Sequence, residues 1–228
     1  MKVPQLARAT TAISLVVGPA LMIVSYLSMP DFGGGHAERL TAIAAAPGTA
    51  TLSALCFILF QLLLPVGVLG VVRLVRRRVP LLATTALVLV CLGAFGHAVY
   101  GGVNVIMLAM AQDLPALETH AEVLAVAEQG VGLPFMAAGL LGSVLGFVLL
   151  GVTVWRGGLG PRWLGPALIV WVLLEFLGSS LSEWAGYASG LVFAVVFAAL
   201  AIAVWRSSIG HWQTAAEGEL VTTEPVPA

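Results

Sequence analysis

The sequence predicts an all-α, polytopic membrane protein of six transmembrane helices arranged as three hairpins, and three observations carry that prediction. Of 228 residues, 60% are hydrophobic and only 9% charged, against roughly a quarter charged in an ordinary soluble domain. Apolar runs long enough to cross a hydrocarbon layer of about 30 Å recur along the chain, and the mean hydropathy is +1.04. The basic residues fall in the breaks between those runs, above all in VVRLVRRRVP, where Arg73, Arg76, Arg77 and Arg78 form a short break between two of them. A soluble fold of this size cannot hide so much apolar surface, and positive residues in short loops stay on the cytoplasmic side. That cluster therefore orients every other segment.

The first span is expected over 9–28, after a short start carrying Lys2 and Arg8. No small-x-small cleavage site follows Tyr26, so the segment reads as retained rather than as a signal peptide. PDFGGGHAERLTAIAAAPGT then forms an external loop with turn residues at both ends and a short helix from His36 to Ala46. Its glycines lack the Gly-Lys-Ser/Thr ending of a phosphate loop. The second span, 50–72, returns to the arginine cluster, and the third, 81–110, is long enough to project beyond the outer surface or to kink at Gly101 and Gly102.

Asp113 and Pro115 start an external acidic helix whose Leu117, Ala121 and Leu124 make one apolar stripe. The fourth span, 131–155, ends at Arg156; the fifth is expected over 163–182 and the sixth over 185–205. With six spans both termini are cytoplasmic. Lys2, Arg8, the four clustered arginines, Arg156, Arg162 and Arg206 then lie inside and Arg39 alone lies outside, with Trp155, Trp163 and Trp205 at the inner interface. The spans make one domain, 1–206, and the tail 207–228, with three glutamates and two late prolines, reads as disordered.

Helices in lipid associate by close backbone approach, because lipid is as apolar as leucine. Gly139, Gly142 and Gly146 share a face of the fourth span, and Gly186 and Gly190 lie one turn apart on the sixth. These are expected packing seams, either within the bundle or between copies. The expected partners are thus the lipid bilayer and a second copy or another membrane protein. Nucleic acid is excluded as a leading idea by the lack of a basic stripe with interleaved aromatics.

A polar side chain within a span costs roughly 2.5–3.5 kcal/mol when charged and central, so each demands an account. Glu175 is the main one, roughly 18 Å from Trp163 along the helix, and Gln61 lies at a similar depth from Arg73. Pro65 cannot donate to the carbonyl of Gln61, leaving an acceptor beside its side chain. A neutral Glu175 can donate to either group and staple two helices. Alternatively, with Ser179 one turn on, it begins a polar face along which protons or ions move. His97 shares a face with Tyr100 and Asn104 and reads as a hydrogen-bonded packing residue.

Metal-ligand spacing is absent, no cofactor is called for, and Lys2 as the sole lysine excludes a Schiff-base chromophore. Ser189 within GYASG is similar to the GxSG nucleophile of rhomboid proteases, but the only later histidine, His211, falls in the tail. No catalytic residue is therefore assigned.

Four stretches together, the PDFGGGHAERLTAIAAAPGT loop, PVGVLGVVRLVRRRVP, GHAVYGG and WRGGLGPRWLG, resemble uncharacterised six-helix integral membrane proteins of high-GC bacteria. The resemblance spans most of residues 9–206 and implies a six-helix fold in the cytoplasmic membrane. It supplies no active residue. The expected function is non-catalytic binding of a partner protein, a lipid or a small apolar ligand. A small proton-coupled transporter or channel using Glu175 is the first alternative, and an intramembrane enzyme or haem- or quinone-binding redox protein the second.

Overall fold

A computed structural model describes residues 2–30, 33–178 and 182–213. It is all-helical, 86% helix with no strand among the described residues. The elements are α1 (Val3–Ser28), α2 (His36–Ala45), α3 (Pro47–Val75), α4 (Pro80–Met110), α5 (Leu117–Gln129), α6 (Leu133–Gly157), α7 (Leu164–Leu173) and α8 (Glu183–Trp205). Prolines at the first turns of α1, α3, α4 and α6 begin helices where the missing N–H leaves no bond unmade. Five helices, α1, α3, α4, α6 and α8, are long and apolar enough to cross a membrane, as in a multi-pass membrane protein.

The fifth expected span takes a different form. Regular α-helix ends at Leu173 and continues as a π-helical turn, Leu174–Gly178. At 1.5 Å per residue the two together reach about 22 Å, short of the roughly 30 Å of a hydrocarbon core. Residues 179–181, at the end of that expected span, lie outside the described residues, and Ser179 with them. The π turn's wider i→i+5 bonding shifts the register of side chains beyond Leu173, and Glu175 sits within it.

The five long helices and the shorter α7 close a ring in chain order. α1 packs on α3, α3 on α4, α4 on α6, α6 on α7, α7 on α8, and α8 returns to α1. Large apolar side chains such as Ile13, Leu55, Leu69, Phe95, Leu141 and Leu145 remain exposed around the outside, as lipid-facing positions are. Inside, Phe147, Trp171, Phe193 and Phe197 pack ring against ring, Trp171 stacking on Phe193 at 4.5 Å between centroids.

Small residues set the tightest joint. On α4 and α6, a Cβ added to Gly96 would lie 2.3 Å from the Gly139 nitrogen, one on Gly142 2.5 Å from the Gly93 nitrogen, and one on Gly146 2.7 Å from the Val90 nitrogen. The two backbones touch directly. Gly139, Gly142 and Gly146 thus form an internal seam with Gly93 and Gly96 of α4. Gly186 and Gly190 on α8 do not take part in such a joint: a Cβ on either meets no heavy atom within 4 Å.

The ends of the ring differ in chemistry. At one end α2 and α5 pack together, with Leu40, Ile43 and Leu124 buried on Ala50, Met107 and Ala111. At the other end Arg8 donates to the Ser207 carbonyl at 3.1 Å, Arg78 to the Gly157 carbonyl at 2.9 Å, and Arg73 to the Trp212 carbonyl at 2.6 Å. The segment expected to be disordered from residue 207 is therefore folded at its start. Ile209–Trp212 forms a 3₁₀ turn, Trp212 is only 2% exposed, and its indole donates to Ser207 Oγ at 2.8 Å. Apolar burial of one indole outweighs the polar composition around it. Residues 214–228 lie outside the described residues.

Candidate functional site

All six helices of the ring contribute to a cavity of about 120 Å³ at its centre. α1 supplies Met22 and Tyr26, α3 Phe57, Phe60 and Gln61, α4 His97, α6 Ser143 and Phe147, α7 Trp171, its π turn Glu175, and α8 Gly190 and Phe193. Three residues picked out from sequence, Glu175, Gln61 and His97, thus line one space. Asn104 lines a second pocket of about 160 Å³ between α1, α2, α3 and α4, toward the α2 end. Met22, Tyr26 and Phe57 border both pockets, so the two adjoin.

The polar groups of the inner cavity are unequally satisfied. Tyr26 donates to Glu175 Oε1, and Ser189 donates to Glu175 Oε2 at 2.5 Å. This chain ties α1, the π turn and α8 together where the ring closes. Gln61 was the partner expected for Glu175, yet its Oε1 is buried with no hydrogen-bond partner, although the residue is only 4% exposed. His97 meets the ring of Phe57 edge-on, 6.0 Å between centroids, and the α4–α6 seam passes beside it, with Gly139 against its backbone nitrogen.

Compared with protein-family models, curated proteins and solved structures, the chain matches none. Chemistry therefore rests on the cavity. Among the described residues, no group of three or more His, Cys, Asp or Glu side chains is placed to hold a metal ion. The walls are mainly aromatic and aliphatic, with one acceptor unmatched, an arrangement that suits a small, mostly apolar molecule oriented by a single donor. An empty cavity of about 150 Å³ is known to hold one benzene ring, so about 120 Å³ accommodates an apolar group of similar size.

Three contributors are not evident from the sequence. Neither the place of Tyr26 at the end of the first apolar run nor that of Ser189 within GYASG shows which carboxylate the hydroxyl meets. Arg39, expected as the lone outer arginine, borders the second pocket. A usable signal for Ser189 was its placement within an apolar helix, where a hydroxyl is expected to seek a partner.

Proposed function

We propose that the chain is a non-catalytic integral membrane protein that binds a small, largely apolar ligand in the central cavity. The observation that carries this reading is Gln61 Oε1, an acceptor buried without a partner in a wall otherwise suited to apolar contact. Leaving a buried acceptor unsatisfied costs about 1–3 kcal/mol. A ligand that donates to it recovers that cost on binding. The test is native mass spectrometry of the chain released from its own membrane into mild detergent. A discrete added mass on the wild type, missing from Gln61→Leu, is expected; an adduct held equally by both proteins refutes the assignment.

The same reading places six crossings in the cytoplasmic membrane with both termini inside. The Arg8–Ser207 contact supports it, since it joins the start of α1 to the end of α8 among Arg73 and Arg78. So does the exposure of Trp155, Trp163 and Trp205, whose indoles favour an interface. A second reading draws on the Tyr26–Glu175–Ser189 chain: a carboxyl that exchanges a proton would loosen or tighten three elements at once. In that proton-coupled transporter, Glu175→Gln abolishes proton-driven flux in vesicles while the protein still folds, and undiminished flux removes the reading.

A further inference from the structure

Among the described residues, Arg39 is the only basic side chain bordering either pocket other than His97, and its buried Nε is left without a hydrogen-bond partner. Its Nη1 lies 4.0 Å from Glu128 Oε1, the outer limit of an ion pair. Glu128 is meanwhile engaged by His36 Nε2 at 3.5 Å and by the Tyr100 hydroxyl at 3.3 Å. Across the second pocket, Ser25 and Ser53 satisfy one another, each donating to the other's carbonyl at 2.9 Å. Beside the second pocket the Arg39 Nε–H is thus a donor without a partner, just as Gln61 Oε1 in the inner cavity is an acceptor without one.

Resting on the reading of the inner cavity given above, we propose that the two adjoining pockets form one cleft for a single-chain amphiphile. Its carboxylate head sits on Arg39, and a hydroxyl at its far end donates to Gln61 Oε1. A carboxylate fits the planar fork of a guanidinium through Nε and a terminal nitrogen. Glu128 already offsets part of the Arg39 charge, so a singly charged carboxylate meets less repulsion there than a phosphate monoester at about −1.5 to −2. Between the ends, Met22 and Phe57 border both pockets and present apolar surface to each. Ser53 of the second pocket and Gln61 of the inner one lie on the same helix, about 12 Å apart at 1.5 Å per residue. Two spaces each near the size that holds one benzene ring take an apolar chain of roughly ten carbons.

The experiment is equilibrium binding of defined probes to the full chain in lipid nanodiscs, comparing 10-hydroxydecanoate, decanoate, 1,10-decanediol and decyl phosphate. The wild type is expected to hold 10-hydroxydecanoate about tenfold or more tighter than the diol, the size of one charge-assisted contact, and tighter than decanoate. Arg39→Gln is expected to erase the first difference and Gln61→Leu the second. Equal binding of 10-hydroxydecanoate and the diol overturns the head assignment while leaving the inner cavity intact. Equal binding of 10-hydroxydecanoate and decanoate overturns the inner acceptor and the proposal with it. Preference for decyl phosphate overturns the single-charge argument, and no saturable binding of any probe overturns both readings. The probe comparison uses the wild-type chain, so it decides the matter even where a variant fails to fold.

Discussion

Gly96→Ala tests whether the α4–α6 seam holds the cavity in shape. The added Cβ would lie 2.3 Å from the Gly139 nitrogen and 2.4 Å from the Phe135 carbonyl oxygen, both backbone atoms on α6. Relief requires the helices to part by roughly 1 Å, since carbon contacts settle near 3.5–4.0 Å. A gap of that size forfeits up to about half of each pairwise attraction of about 0.1–0.2 kcal/mol. For a seam with on the order of 40 such pairs, the loss is about 2–4 kcal/mol, within the upper range of overpacking penalties. Gly102→Ala on the same helix is the matched control, because a Cβ there meets nothing within 4 Å. Thermal unfolding in detergent, followed by far-ultraviolet circular dichroism, reads the difference. Gly96→Ala should melt well below wild type and Gly102→Ala close to it. If the two alanine variants melt together, backbone contact does not hold this joint and the reasoning fails. Because His97 follows Gly96 directly and Gly139 lies against its nitrogen, the same variant should weaken any ligand of the central cavity.

Other expectations are as direct. Gln61→Leu should raise the stability of the ligand-free protein by about 1–3 kcal/mol by removing an unsatisfied acceptor, and a lower melting temperature would show that Gln61 is a structural partner. Tyr26→Phe should cost about 1–3 kcal/mol by withdrawing the donor from Glu175, with Ser189→Ala acting in the same direction; double-mutant analysis should show the two coupled through the shared carboxyl. Trp212→Ala should destabilise by about 3–5 kcal/mol, measured as above, because it empties a site that is 2% exposed and removes the ring over which the Arg73 guanidinium lies. For topology, in a variant lacking Cys56 and Cys91, a cysteine placed at Gln129 should label with impermeant maleimide in intact cells and one placed at Arg77 only after permeabilisation. Labelling from the same side would refute the six-crossing arrangement.

Much of this molecule was legible one residue at a time. Apolar run length predicts where helices form, because a helix satisfies every backbone group internally wherever lipid offers no partner. Thus α3, α4 and α6 are long apolar helices in the stretches where apolar residues run longest, and a short helix begins at His36. Intramembrane polarity likewise marked Glu175, Gln61 and His97, since a costly side chain stands out against apolar neighbours.

Tertiary structure alone decided who meets whom. Composition cannot tell that Gly139, Gly142 and Gly146 face Gly93 and Gly96 while Gly186 and Gly190 face open space, because the difference lies in the rotation of α8 relative to its neighbours. Nor can spacing show that Glu175 takes its hydroxyl partners from Tyr26, 149 positions away, and from Ser189, while Gln61 is left with an acceptor unmatched. Those pairings depend on ring closure and on the π turn that re-registers Glu175. The sequence by itself determined that the chain makes apolar helices and which of their residues are expensive to bury. Only packing determined which of those residues were satisfied, because a hydrogen bond depends on the placement of two groups and a sequence specifies the position of neither.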